Sequence, residues 1–420
     1  MRILLLSHYY PPETGPPQLR WSALVRDLLA AGHEVDVVTP APHYPAGRLL
    51  PGEDPSQVGR SHPGEHGETV HRVTFRRSSG DARSLLLDQV VVAADTVRTT
   101  WRRRDGLRPD VVIATVPGLP TALAGRAVAT LLRVPLVLEM RDAWPDILGG
   151  AASGDRVTPR AALRAGLVRL VSTGVTWLQR SADLVVTTTD SFAATLRERQ
   201  VPRVVTVRNA HHGLPGSSAP VDTSASGGPL HVVYVGTVGR AQGLETAVRA
   251  AHLARQDGVA IRLRVVGTGA RLTSVRGLAR ELQAPVEFAG PVTREQVAEH
   301  YDWCDTFLVC LRDWPGLDST VPSKLYEALA LGLHVSASAT GETATIVRET
   351  GAGFATAPGD AQGLARAWGA LAETGPQQDR ARMSSWVDRH ASESGAAAVL
   401  LEALADLGDL ADPGHERVEV

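Results

Sequence analysis

The chain contains almost no lysine: of its 43 basic residues only Lys324 is not an arginine. Whatever an ammonium does in this protein, it does at one position. Cysteine is nearly as scarce, with Cys304 and Cys310 both inside DWCDTFLVC. Two thiols give neither a metal quartet nor a disulfide framework, and these read as core residues of a reducing compartment. No uninterrupted apolar run reaches the roughly 18 residues of a bilayer-spanning helix. The apolar start of MRILLLSHYYPP is too short for a secretory signal. The expectation is a cytoplasmic protein, with peripheral attachment at the inner face of the plasma membrane left open. Charge of one sign is missing too: the net charge is -2, which argues against a nucleic-acid partner.

What is present is a repeated alternation. At 420 residues, 43% hydrophobic and 21% charged, the chain is soluble, globular and large enough for two packed domains. RILLLSH, WSALVRDLLAAG and HEVDVVT, then DVVIATV, LPTALAGRAVATLLR and PLVLEM, alternate doubly apolar strands with helical patterns. This is the signature of a mostly parallel α/β sheet covered on both faces. The Gly, Ser and Pro of HHGLPGSSAPVDTSASGGPL mark a linker. After it HVVYVGTV, LETAVRAAHLARQ, IRLRVVGTG and TFLVCLR restart the pattern. The expected domains are 1–212 and 230–385, both doubly wound and Rossmann-like, joined by a linker at 213–229 and facing across a cleft that holds the active site. Residues 386–410 are expected to be helical, broken near Gly395 and able to cross back to the first domain, with a frayed tail from Asp412.

Three stretches carry candidate chemistry. VYVGTVGRAQGL places Gly236 and Gly239 between a strand and a helix, where backbone amides approach an anion, and Arg240 adds a planar donor fork. An ordinary glycine-rich turn is the competing reading. It is neither a dinucleotide fingerprint nor a Walker loop. Gly267 and Gly269 in RVVGTGAR make a second such turn, read as tight packing. VPSKLYEALALG starts a helix at Pro322 or Ser323, so that Ser323 can cap it. Lys324 is a compact, mobile charge suited to a phosphate. Glu327, one turn on, suits ribose hydroxyls, or pairs with Lys324 at the surface.

SHYYPPETGPPQLRWSALVRDLLAAGHEVDVVT, EMRDAWPDI, GTVGRAQGLETA, VPSKLYEALALG and SATGETATIVRETGAG, in this order, resemble glycosyltransferase family 4, retaining enzymes of the GT-B fold. They are most similar to bacterial O-antigen, capsule and colanic-acid transferases. The resemblance implies a nucleoside-diphosphate sugar donor on the C-terminal domain and a saccharide or lipid-linked acceptor on the N-terminal one. It implies that Arg240 and Lys324 neutralise the diphosphate, Glu327 holds the ribose and Val292 lies near the base. Gly15 would sit in a loop closing over the donor, and Arg141 would stand where many relatives place a sugar-contacting histidine. Subgroup similarity points to an N-acetylated amino sugar on uridine. Two departures matter: Ser319 stands where the first glutamate of the family's usual pair would be, and Gln242 replaces a phosphate-loop lysine, whose charge Lys324 can supply. No D-x-D triplet occurs, so no metal is expected. Asp142 and Glu139 are candidate orienting groups, with a structural ion pair to Arg141 the alternative. A nucleotide-sugar 2-epimerase of the same fold and a non-catalytic sugar-nucleotide-binding subunit are the rival readings.

Weaker signals have plainer readings. SHPGEHGETVH, with His62, Glu65, His66, Glu68 and His71, is read as a solvated loop rather than a zinc site. His8, His43 and Tyr44 fall in loops after the first two strands, where they contact sugar or merely pack. Leu163, Leu167, Leu170 and Leu178, with Arg160 and Arg164 and the arginines of WRRRDGLR (Arg102, Arg103, Arg104 and Arg108), form a basic amphipathic surface that could rest on anionic lipid. A helix packed on its own sheet is the preferred reading.

Overall fold

Strands apolar on both faces must be covered on both faces. The computed structural model describes residues 1–116, 118–150, 159–211 and 228–411. Contacts divide the chain into one unit of Met1–Leu148, Ala152–Asn209 and Glu393–Val420, and another of Gly149–Ala151 and Ala210–Ser392. Nearly all of the expected linker, and the tail from Asp412, lie outside the described residues.

The first unit runs β1 (Arg2–Leu6), α1 (Pro16–Ala30), β2 (Glu34–Pro40), β3 (Ser61–Pro63), β4 (Thr69–Val73), α2 (Ala82–Leu107) and β5 (Val111–Val116). It continues with α3 (Leu119–Leu132), β6 (Leu136–Met140), α4 (Ile147–Gly150), α5 (Pro159–Ser181), β7 (Leu184–Thr187), α6 (Asp190–Glu198) and β8 (Val204–Thr206). Among the described residues the strand order is β3-β4-β2-β1-β5-β6-β7-β8. Every pairing is parallel except the β3–β4 hairpin. Helices α2, α3 and α5 cover one face through Val92, Val128, Val175 and Leu178, and α1 covers the other through Trp21, Leu24 and Leu28.

The α1 layer is fixed by a buried carboxylate. Glu139 Oε1 accepts from Arg20 Nε at 2.8 Å and Oε2 from Trp21 Nε1 at 2.8 Å. The two terminal Arg20 nitrogens donate to the Arg208 and Val207 carbonyls. Burial pushes the Glu139 carboxyl up, but the Arg20 and Arg141 charges outweigh it and hold it below the usual range. Of the two readings of Glu139, the structural ion pair is the one seen, with Arg20 as the hydrogen-bonded partner: both its oxygens are engaged in joining α1 to β6. SHPGEHGETVH is likewise a hairpin, not a solvated loop. His71 Nε2 meets Asp36 Oδ1 at 2.7 Å, and Tyr10 Oη donates to Glu68 Oε1 at 2.7 Å. Partners this distant in sequence are invisible to periodicity.

The second unit runs β9 (Leu230–Val235), α7 (Glu245–Gln256), β10 (Ile261–Val266), α8 (Leu272–Glu281), β11 (Val286–Gly290), α9 (Arg294–Asp302) and β12 (Thr306–Cys310). It ends with α10 (Ser323–Ala330), β13 (Val335–Ser338), α11 (Gly341–Glu349), β14 (Gly353–Thr356), α12 (Ala361–Thr374) and α13 (Arg380–His390). Its strands, all in parallel pairs, order β11-β10-β9-β12-β13-β14. Cys304 and Cys310 are buried in it, and burial pushes the Cys310 thiol up to about 12.

The last helix, α14 (Glu393–Ala411), packs in the first unit through Ala397, Leu400, Leu404 and Leu407. The segment 386–410 is thus divided, since Trp386 and Val387 of α13 belong to the second unit's core. The helical break falls at Ala391–Ser392 rather than near Gly395, which lies in the first turn of α14. There Glu393 is held by Arg26 at 2.9 Å.

Replacing Glu139 by Ala strands the buried Arg20 charge and should cost about 3–5 kcal/mol in urea unfolding. Glu34→Ala, which breaks the exposed Arg2–Glu34 pair, should cost under ~1 kcal/mol. Equal losses would contradict this account.

Candidate functional site

In an open parallel sheet the loops leaving two adjacent strands diverge to opposite faces where strand order reverses, and a crevice opens at their carboxyl ends. The reversal falls between β9 and β12 in the second unit and between β1 and β5 in the first. A cavity of about 130 Å³ lies at the first of these points, lined by Gly236, Thr237, Gln242, Cys310, Ser323 and Lys324 among others. A groove of about 710 Å³ along α14 is larger, but it opens at Leu184 and Val204, the first residues of β7 and β8. That is the wrong edge of a parallel sheet for a ligand.

The loop after β9 is shaped by backbone-to-backbone contact. Gly267 has φ +132°, and a Cβ there would lie 2.0 Å from the Gly236 carbonyl oxygen; one at Gly269 would lie 2.4 Å from that of Val238. The tight-packing reading of Gly267 and Gly269 is the one the structure gives. Gly239 donates its amide to Gln242 Oε1 at 3.1 Å. Gln242 therefore closes the turn on itself rather than presenting a charge. Arg240, on the same turn, is exposed and makes no ion pair among the described residues. Glu245 braces the surroundings, accepting from Arg271 at 2.7 Å and Arg312 at 2.9 Å. Burial raises the Glu245 carboxyl, but these arginines outweigh it and the net shift is downward.

At α10 the N-cap is Pro322, not Ser323 as expected, and no side chain caps the helix. Proline ahead of the first turn sets the entry backbone but brings no side-chain acceptor, so no side chain satisfies the leading amides; the Leu325 amide turns back to the Pro322 carbonyl at 2.9 Å, and Ser323 and Lys324 line the cavity. Lys324 Nζ contacts Glu327 Oε2, which also accepts from Tyr301 Oη at 2.7 Å. Glu327 is only 8% exposed, so it is no surface glutamate, and its Oε1 has no partner among the described residues. Burial, then the Glu327 charge, push the Tyr301 phenol far up, keeping it a donor. Val292 is half-buried in the segment after β11, against the core cluster of Val297 and Leu325, and does not line the cavity.

In the first unit the reversal point gathers His8 after β1, His43 after β2 and Asp88 of α2, all buried. Asp88 Oδ2 lies 2.9 Å from His43 Nε2 and 3.3 Å from His8 Nε2, while Oδ1 accepts the Arg76 amide at 2.7 Å. His43 Nδ1 is 2.9 Å from the Ala41 carbonyl. Both ring nitrogens of His43 thus face acceptors, which no neutral tautomer satisfies. Burial lowers the His43 pKa, but the Asp88 hydrogen bond and the Ala41 carbonyl more than reverse this, and the net shift is upward. The His8–His43–Asp88 set also has the ligand types and proximity of a metal site. Glu13 stitches the adjoining loops, accepting the His43 and Tyr44 amides at 2.8 and 2.9 Å and the Gln18 side chain at 3.1 Å. Gly15 caps α1 with extended backbone; a Cβ there would lie 2.6 Å from Gln18 Oε1.

Arg141 and Asp142, after β6, are half-buried. The Arg141 Nε is buried without a hydrogen-bond partner, and burial raises the Asp142 carboxyl against the pull of Arg141. The structure therefore brings Gly236, Ser323 and Lys324 to one cavity, keeps Gly239, Arg240 and Glu327 beside it, and holds Gly15, Arg141 and Asp142 in the other unit. Sequence reading missed Glu13, Asp88, Glu245 and Tyr301. A lone carboxylate inside LLLDQVVV was the available signal for Asp88.

These features define a GT-B fold with a cavity at the strand-order reversal of its second unit. A Glycosyl transferase 4-like domain model matches residues 17–210 and a Glycosyl transferases group 1 model matches 229–374. The chain is 28% identical over 203 residues to the putative colanic acid biosynthesis glycosyltransferase WcaL of Escherichia coli K12, covering 47% of this chain and 49% of the relative. It is 27% identical over 354 residues to WcaI of the same organism, covering 79% and 82%. The first match spans about half the relative's length. Anabaena HepE, solved with UDP and glucose, superposes with a TM-score of 0.63 at 16% identity, over 96% of this chain and 99% of that one. The chain belongs to the family-4-like glycosyltransferases of the GT-B fold.

His43, with its folded pKa raised, contributes stability that is full below its usual 6.5 and lost as pH rises through the folded value. Asp88, held low mainly by hydrogen bonds from His43 and His8 against its burial, contributes the acid limb instead. Urea unfolding across pH should show a decline as pH rises past 6.5 that Asp88→Asn flattens. An unchanged slope in the variant would contradict the ion pair.

Proposed function

We propose that the protein transfers a sugar from a nucleoside diphosphate, with uridine as the base, to a saccharide or lipid-linked saccharide acceptor during surface-polysaccharide synthesis. The observation that carries this reading is the meeting of the chain's one lysine with the uncapped start of α10 at the strand-order reversal of the second unit. The names of the WcaL and WcaI relatives and the nucleotide bound to HepE support the acceptor and donor classes.

As the anomeric bond breaks, negative charge grows on the departing diphosphate. Donors fixed in advance stabilise that charge without reorganising. In this reading the Ser323 and Lys324 amides, the α10 dipole and the Lys324 ammonium meet the phosphates, with Arg240 as the second cation. Gly236 and Gly239 let the backbone approach. Glu327 holds Lys324 in place through Oε2 and offers Oε1 to a ribose hydroxyl, and Val292 borders the base. Arg141, Asp142 and Gly15 serve the sugar and acceptor from the first unit. Cations and amides suffice for leaving-group stabilisation, so no metal enters this reading. Retention of configuration is carried over from the resemblance, with a phosphate oxygen helping to take the acceptor proton.

Lys324→Ala should lower kcat by about 10²-fold, as for loss of one preorganised donor, and raise the donor KM, while Lys324→Arg recovers part of the loss. Steady-state kinetics with a uridine-diphosphate sugar provide the check. Wild-type constants in Lys324→Ala would overturn the assignment.

A further inference from the structure

The outer surface of α2, α3 and α5 does not match an ordinary solvated helix layer. Along α2 the buried positions Asp88, Val92, Thr96 and Thr100 recur every fourth residue, so the helix docks by one stripe. The opposite stripe near its start is apolar: Leu86 is 55% exposed, Leu87 48% and Val90 48%. Three exposed arginines, Arg76, Arg77 and Arg83, flank it. None of their side chains has an ion-pair partner among the described residues, and the nearby Asp81 is engaged with Ser79 and the α2 amides. Leu123 on α3 is 56% exposed, and on α5 Leu167, Leu170 and Trp177 are 60, 71 and 56% exposed. The preferred expectation that the α5 leucines pack on their own sheet is thus corrected at Leu167 and Leu170 and holds at Leu178, while Leu163, Arg160 and Arg164 lie outside the described side chains.

The exposed apolar residues of α2 and Leu123 of α3 share an edge. Helices α2 and α3 each follow a parallel strand, so their first turns start at the sheet's carboxyl side, the side that carries His8, His43 and Arg141. We infer that this face docks on an anionic lipid bilayer, with Leu86, Leu87 and Val90 entering the headgroup boundary and Arg76, Arg77 and Arg83 meeting lipid phosphates. Charge selects the bilayer over a second copy of the chain. A two-fold interface through this patch would set the same unpaired arginines against their own copies. Among the described residues no helix is long and apolar enough to cross a membrane, so the attachment is peripheral. It leaves the acceptor-side edge beside the lipid surface, and in that respect it rests on the glycosyl-transfer reading.

Vesicle flotation tests the inference on the full chain without donor or acceptor. The protein should float with vesicles containing phosphatidylglycerol and stay behind with pure phosphatidylcholine. Arg76→Gln, Arg77→Gln and Arg83→Gln together should weaken partitioning about a hundredfold, and Leu86→Ser with Leu87→Ser about tenfold. All five positions are exposed, so thermal unfolding and the thermal shift on adding a uridine-diphosphate sugar should stay at wild type. That second readout reports the donor cavity, so failure there indicts the functional reading rather than the docking face. Equal flotation with neutral lipid, wild-type flotation of both variants, or a dimer dissolved by the leucine changes would each overturn the proposal.

Discussion

The second unit is governed by the reversal of strand order between β9 and β12. Parallel strands joined by right-handed crossovers send their helices to opposite faces at that point, and nothing in the sheet fills the gap they leave. The chain uses the gap in three ways. Gly236 and Gly267 let neighbouring loops meet through backbone alone, Pro322 starts α10 without a capping side chain, and Lys324 projects from its first turn. Glu245 and Glu327 then hold the surrounding cations in fixed positions. The surroundings of this cavity are built mainly of backbone, in a chain with one lysine and no recognised nucleotide fingerprint.

The first unit solves a different problem. On and beside its sheet, three buried polar groups are matched by partners far away in sequence: Glu139 with Arg20 and Trp21, His43 with Asp88, Glu68 with Tyr10. Such groups are costly when unpaired and specific when paired. They fix the loops at the carboxyl edge, where Glu13 binds the segment after β2 to the start of α1. Ion pairs and hydrogen bonds thus tie the loops of that edge to one another.

Much of this was legible in the residues. Strand and helix alternation gave the two α/β units because burial on both faces leaves continuous apolar runs. That Gly236, Ser323 and Lys324 would meet was legible because both segments sit between a strand and a helix, where loops of such a sheet converge. The hairpin at Ser61–Val73, the capping role of Pro322 and the engagement of Glu139 were not legible. Each depends on a contact across many residues or on a terminus geometry that local pattern does not encode. The exposed leucines of α5 escaped for a related reason: helical spacing shows that a stripe exists, but not which stripe faces the sheet.

The central claim is that the diphosphate of the donor sits at the β9–β12 reversal against α10. A crystal structure with bound uridine diphosphate examines this directly. The account predicts phosphate oxygens within hydrogen-bonding distance of Lys324 Nζ and the Ser323 amide. A nucleotide lodged in the groove along α14, or anywhere its phosphates miss both groups, would contradict it.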